Sequence, residues 1–379
     1  MKALAITSKG IEDISADEIK ELINAKTEIK DSCIIFEPKK LEDLALLCYK
    51  AQSVDKILFL FNHFNFNEKD LLDKLEKEIK KLDLSEWLDK NATFKVACRK
   101  VNESLTSEEL CAKTGEMIIN KIKKEKNYNQ EVDLNSPDVI FFIYIHKDEC
   151  YFGIDFSRIE LNKRTYRIFT HQSSLRGTIA YSLLRIADCK EDQTIVDPFT
   201  GSGTIPIETA LYLSKFPINY YSKDKFAFLK FKKINSEKVF QEADKKRKTD
   251  KLNLYGYDSF LGYITNAKKN AKIAGTHKLI NFARIDVEWL DTKFEKETID
   301  RIIAQPPKIT NLNKKDIEKV YNELFYQAEF TLKKDGKIVL ISETIDSLKK
   351  YAEKHKFRIK EQRQVYSGKA PMIVVTFER

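Results

Sequence analysis

Residues 194–210 constrain this chain more than any other stretch: Thr194-Ile195-Val196-Asp197-Pro198-Phe199-Thr200-Gly201-Ser202-Gly203-Thr204-Ile205-Pro206-Ile207-Glu208-Thr209-Ala210. A β-branched run ends in a carboxylate, a Gly-Ser-Gly-Thr turn follows, and apolar residues then recur at helical spacing. Strand, tight turn and helix in that order form the first unit of a doubly wound α/β sheet. The glycines let the backbone turn sharply and approach a ligand, and the helix N-terminus points unpaired N–H groups into the same crevice. No Lys-Ser or Lys-Thr follows the glycines, so the turn is not a P-loop, and the third glycine of the dinucleotide fingerprint is missing.

The 379 residues suffice for two or three domains. A formal net charge of +9 favours an acidic partner, most simply nucleic acid, although a lysine-rich solvated surface would give the same number. Cys33, Cys48, Cys98, Cys111, Cys150 and Cys189 are scattered with no C-x-x-C pair, which suits free thiols in a reducing compartment. No Cys/His cluster offers a metal site, so none is expected. Met1 to Ile6 is too short for a signal segment and no long uncharged apolar run follows, so a cytoplasmic location is expected.

Strands alternate with helices over residues 1–63, which suggests a small ferredoxin-like α+β layer. Residues 64–156 form a second unit, with helical patterns at 69–82 and 106–123, a strand at Thr93–Arg99, and a hairpin of Val139–Ile145 with Cys150–Asp155. Residues 157–178 read as a linker, in which Arg164, Arg167 and Arg176 interleave with Tyr166 and Phe169 as an RNA path would. His171 lies at that junction and is given no catalytic role. The sheet then occupies 179–379. Its rhythm is broken by a lysine- and aromatic-rich segment, 215–251, read as an insertion on the sheet edge.

Later strands end in carboxylates: Leu252 to Asp258, and Phe282 to Asp286. At Asp258 an ionised carboxylate can accept both hydroxyl hydrogens of a ribose, and Asp286 is placed to accept from an adenine amino group; the plain alternative for either is a helix cap. The fourth strand leaves through Ile303-Ala304-Gln305-Pro306-Pro307-Lys308. Prolines there fix the backbone, or merely end the strand.

The string Asp-Pro-Phe-x-Gly-Ser-Gly-Thr-x-x-x-Glu resembles the cofactor loop of class I S-adenosylmethionine methyltransferases, particularly those acting on exocyclic amines of nucleic-acid bases. Phe94-Lys95-Val96-x-x-Arg99-Lys100, Thr114-Gly115, Val132-Asp133-Leu134-x-x-Pro137-Asp138 and Cys150-Tyr151-x-Gly153-Ile154-Asp155 are similar, in that order, to a THUMP domain, a module that holds tRNA or rRNA. The chain as a whole resembles the tRNA and rRNA guanine-N2 methyltransferases. The resemblance implies an α/β Rossmann-like methyltransferase sheet preceded by a ferredoxin-like layer and a THUMP domain. It implies S-adenosylmethionine held by Asp197, Phe199, Thr200, Gly201, Gly203, Thr204, Asp258, Ser259, Asp286 and Val287. RNA, most simply tRNA, would meet Arg99, Lys100, Arg164, Arg167 and Arg176. Monomer is the default, since no pairing face is evident.

In that group the loop after the fourth strand carries Asn or Asp, then Pro-Pro, then an aromatic residue. An exocyclic amine is a poor nucleophile because its lone pair is delocalised. A side-chain carbonyl and the next backbone carbonyl accept its hydrogens and localise that lone pair toward the methyl group. Here Gln305, Pro306 and Pro307 take the catalytic positions, with glutamine on a longer stem, and Lys308 replaces the aromatic residue that would stack on a flipped base. Phe169 or Tyr366 could supply the stacking face instead. Two alternatives follow from the departures: an RNA-binding protein that keeps the fold without catalysis, or an enzyme acting on a different base atom.

Overall fold

The computed structural model describes residues 1–67, 69–100, 106–170, 175–368 and 370–379; His171 lies outside them. The chain divides into two units. One comprises Met1–Thr7, Ala16–Leu161 and Ser222–Gln241, the other Ser8–Ser15, Asn162–Tyr221 and Glu242–Arg379.

The first unit is built on one eight-stranded sheet. Its strands are β1 (Lys2–Thr7), β2 (Lys26–Lys30), β3 (Cys33–Glu37), β4 (Val54–Asn65), β5 (Thr93–Lys100), β6 (Glu131–Val132), β7 (Val139–His146) and β8 (Glu149–Asp155), in the order β2-β3-β1-β4-β8-β7-β5-β6. β4 pairs antiparallel with both β1 and β8, so the N-terminal layer and the segment after it share a continuous sheet. The boundary expected at 63/64 therefore falls inside a strand. Leu4, Ile6, Ile35, Leu58, Leu60, Phe142 and Tyr144 alternate along their strands and pack on one face. The 107–126 helix starts on a reciprocal cap, with Thr106 Oγ1 accepting from Glu109 N–H and the Glu109 carboxylate accepting from Thr106 N–H, both at 3.2 Å.

The lysine-rich segment departs from expectation. Residues 222–241 belong to this first unit, not to the edge of the second sheet. Their aromatic side chains explain it: Phe240 meets Tyr49 at 4.7 Å and Phe231 meets Trp87 at 5.3 Å between ring centroids, while Phe226 and Phe228 stack on each other. Burying those rings outweighs any preference of the intervening lysines for a detached helix.

The second unit carries seven strands: β9 (Ile195–Asp197), β10 (Leu254–Asp258), β11 (Asn281–Arg284), β12 (Ile299–Ala304), β13 (Leu332–Ser342), β14 (Arg358–Ser367) and β15 (Ala370–Glu378). Their order is β11-β10-β9-β12-β13-β15-β14; β15 runs antiparallel to β13 and to β14, and the other pairs are parallel. Side chains alternate between two cores, with Ile195, Ile303 and Val339 on one face and Val196, Ile302 and Leu340 on the other. Both faces are covered, as a parallel sheet requires. Order reverses between β9 and β12, and at that switch point the carboxyl ends of the strands open a crevice.

Candidate active site

Five strand ends converge on a cleft of about 360 Å³ in the second unit, a volume suited to a nucleoside-sized ligand. Asp197, Phe199, Thr200, Gly201 and Thr204 line it from the β9 turn, and Asp258 and Ser259 from the end of β10. Asp286 and Val287 follow β11, and Gln305, Pro306, Pro307 and Lys308 follow β12. The structure thus brings together every cofactor and catalytic position expected from sequence except Gly203.

Gly203 acts behind the cleft. Its φ is +86°, and a Cβ there would stand 3.0 Å from Ala267 Cβ and 3.2 Å from Ala267 Cα. The missing side chain lets the 204–213 helix start tight against the 261–274 helix.

Asp197 is 2% exposed. One carboxylate oxygen accepts from Phe199 N–H at 3.1 Å, and the other, Oδ2, is buried with no hydrogen-bond partner among the described residues. Burial raises its pKa well above the usual carboxylate range and the neighbouring Asp258 charge adds to this, while the hydrogen bond from Phe199 N–H pulls the other way. A buried acceptor of this kind suits a ligand that brings its own donors or a positive charge. Asp258 accepts from Gly201 N–H and from Phe260 N–H, each at 3.0 Å, which ties the glycine turn to the next strand. Asp286 accepts from Glu288 N–H at 3.4 Å and caps the short helix at Val287–Thr292.

Gln305 is half-buried, and its amide has no hydrogen-bond partner among the described residues. The backbone beyond it is pinned: Tyr321 O–H donates to the Pro307 carbonyl at 2.6 Å, and Asn313 Nδ2 donates to the Lys308 carbonyl at 3.2 Å. An uncommitted amide thus sits at the edge of a rigid Pro-Pro turn. Phe169 and Tyr366 do not line the cleft. The Phe169 ring lies under Lys269 Nζ at 4.8 Å, and Tyr366 N–H donates to the Lys9 carbonyl at 2.9 Å.

Several residues to which sequence reasoning gave no site role prove to support the cleft. Asn270 Nδ2 donates to the carbonyls of Phe169 and Ser202, both at 2.9 Å, clamping the linker to the glycine turn. Tyr321 had no signal, since its partner lies on a separate loop. Glu343, directly after β13, lines the cleft and pairs with Lys308. A polar residue at a strand end was the available clue, the same one that marks Asp258.

The expected RNA contacts divide. Arg164 is contradicted: its side chain is 1% exposed and bonds Glu208 through Nε to Oε1 at 2.8 Å and Nη2 to Oε2 at 3.1 Å, with Tyr166 O–H donating to the same Oε1 at 2.6 Å. It holds the linker against the helix and cannot reach a phosphate. Arg99, in the first unit, is paired with Asp55 at 3.1 Å and with Glu160, so its charge is largely neutralised. Lys100, Arg167 and Arg176 are half-buried.

Residues 164–372 match the RMKL-like methyltransferase domain and residues 69–155 match the THUMP domain. The chain is 31% identical over 368 residues to the tRNA (guanine(6)-N2)-methyltransferase of Methanocaldococcus jannaschii, covering 95% of both chains. It is 28% identical over 343 residues to the enzyme of the same name from Archaeoglobus fulgidus, covering 89% of this chain and 82% of the relative. A solved structure of SMU.472, a putative methyltransferase complexed with SAH, superposes with a TM-score of 0.83 at 21% identity, covering 100% of this chain and 97% of that one. That likeness shows a shared fold.

Proposed function

The chain belongs to the RMKL-like methyltransferase family, with a THUMP domain in the same polypeptide, and from that premise we propose that it methylates the 2-amino group of a guanosine in tRNA, using S-adenosylmethionine. The observation that carries the reading is the shared cleft: two strand-end carboxylates, Asp197 and Asp258, open onto the same space as Gln305 and the Pro-Pro turn.

S-adenosylmethionine supplies a methyl group already electrophilic on its sulfonium. The protein's part is to bind, orient and accept hydrogens. Asp197 Oδ2, without a hydrogen-bond partner among the described residues and with Phe199, Thr200, Gly201 and Thr204 around it, would hold the amino-acid end. Asp258 and Ser259 would take the ribose hydroxyls, and Asp286 and Val287 the adenine. The Gln305 amide oxygen and the Pro306 carbonyl would accept the two hydrogens of the target amine, and the prolines keep both acceptors in place.

The THUMP unit would hold the RNA, with Lys100 near its surface, and Arg167 and Arg176 would guide the strand. Such contacts position RNA without reading its sequence. The enzyme would act as a monomer in the cytoplasm. No described helix is long and apolar enough to cross a membrane. The names of both archaeal relatives make the guanosine at tRNA position 6 the first place to look.

Nucleoside mass spectrometry of tRNA from cells with and without the gene tests the reading. An N2-methylguanosine lost from tRNA on deletion supports it. An unchanged nucleoside profile would refute it.

A further inference from the structure

Lys308 occupies the position where the resemblance calls for a stacking aromatic side chain, and the structure gives it a partner. Its ammonium donates to Glu343 Oε2, so residues that follow two neighbouring parallel strands, β12 and β13, carry an ion pair into the cleft. The side chains are 62% and 48% exposed, and a pair this open adds little to stability. Its supporting backbone is nevertheless fixed. Tyr321 holds the Pro307 carbonyl, Asn313 Nδ2 holds the Lys308 carbonyl, and Asn313 Oδ1 accepts from Thr310 N–H at 2.6 Å. Among the described residues, Glu343 Oε1 and the other two ammonium hydrogens have no protein partner.

The unused atoms form a pattern. Along the Watson–Crick edge of guanine lie an acceptor, O6, then a donor, N1–H, then the donor amine at C2. Lys308 offers a donor, Glu343 an acceptor, and Gln305 with Pro306 two further acceptors. We infer that Lys308 and Glu343 are the specificity-determining residues for guanine, Lys308 donating to O6 and Glu343 Oε1 accepting from N1–H, while the amine is presented to Gln305. The inference deepens the proposed function and rests on it. Adenine reverses the first two groups: its N6 amine would meet the ammonium and its N1 lone pair the carboxylate. A site built for hydrogen bonds rejects such an analogue because its polar groups are left unpaired. The target base must leave the stack to be read this way.

Two analogues keep the 2-amino group and alter the rest of the edge: 2-aminopurine lacks O6 and N1–H, and 2,6-diaminopurine replaces O6 with an amine. Each is placed at the mapped target position of a tRNA, and kcat/KM is compared with guanosine for the wild-type protein and for Glu343→Gln. The wild type should prefer guanosine over both by about 10- to 100-fold, the discrimination one good bidentate contact confers. Glu343→Gln, whose amide can donate to the N1 lone pair, should lose most of that preference, chiefly through slower guanosine turnover. Lys308→Ala should weaken discrimination against 2,6-diaminopurine more than against 2-aminopurine. Equal wild-type rates on all three bases, or an unchanged preference in Glu343→Gln, would overturn the inference and leave guanosine methylation standing. Absence of an N2-methyl group from any tRNA would instead remove the proposed function beneath it.

Discussion

Arg164 grips Glu208 through two hydrogen bonds, at 2.8 and 3.1 Å, with both side chains out of solvent. Gly177 makes room for them: a Cβ there would lie 2.5 Å from Arg164 Nε and 2.7 Å from Glu208 Oε1. Removing one partner leaves an uncompensated buried charge, which costs about 3–5 kcal/mol. Calorimetric unfolding of Arg164→Ala should therefore show a marked loss of stability. A variant that melts with the wild type would mean the pair is solvated in solution.

Asp197 predicts opposite signs for stability and binding. Its folded-state pKa is raised by burial, so the folded protein keeps the proton to higher pH than the unfolded chain. Stability is full below the unfolded carboxylate pKa and declines as pH rises through the folded one. Asp197→Asn should flatten that decline and leave the ligand-free protein about 1–3 kcal/mol more stable at pH 8, the cost of an unsatisfied buried charge. The same change should weaken S-adenosylmethionine by about 10- to 100-fold, as expected for lost hydrogen bonds to a charged group. Parallel melting curves across pH, together with unchanged affinity by titration calorimetry, would contradict both.

The cleft was legible in the sequence because its parts are local. Asp197, the glycine turn and Thr204 lie within eight consecutive residues, and β10 and β12 each carry apolar residues that lead to a polar group at the strand end. Arg164 shows where such reading stops. Basic and aromatic residues interleave identically whether the guanidinium points at phosphate or at a buried carboxylate, and Glu208 lies 44 residues further on. Phe226, Phe231 and Phe240 were hidden likewise, since a lysine-rich stretch gives no sign of which core its aromatic rings will join. Glu343 and Tyr321 act across the fold, and only the packing of β13 and the 314–331 helix brings them to the Pro-Pro turn.

Gly203 and Gly262 make a matched pair of substitutions. Gly203→Ala must adopt a left-handed backbone, at about 1–2 kcal/mol, and also press on Ala267. A Cβ at Gly262 meets no described residue within 4 Å, and alanine there should add about 0.5–1 kcal/mol of helix stability. Thermal melts of the two should move in opposite directions. A shared direction would refute the packing role given to Gly203.

Tyr321 is a positioning residue, since its hydroxyl holds the Pro307 carbonyl and so acts on the acceptors through the turn. Tyr321→Phe deletes that one bond, worth about 0.5–1.5 kcal/mol. Methyl transfer should slow by about 2- to 10-fold with S-adenosylmethionine affinity unchanged. A loss confined to cofactor affinity would place Tyr321 on the wrong half of the cleft.

Gln305→Ala, measured for S-adenosylmethionine affinity and for methyl transfer to tRNA in the same preparation, tests the central claim most directly. With the carboxylates intact, affinity should stay within about 2-fold of wild type, while turnover falls by about 100-fold or more, as for the loss of one preorganised polar group. Turnover equal to the wild type would show that the amide beside the paired prolines takes no part in the reaction.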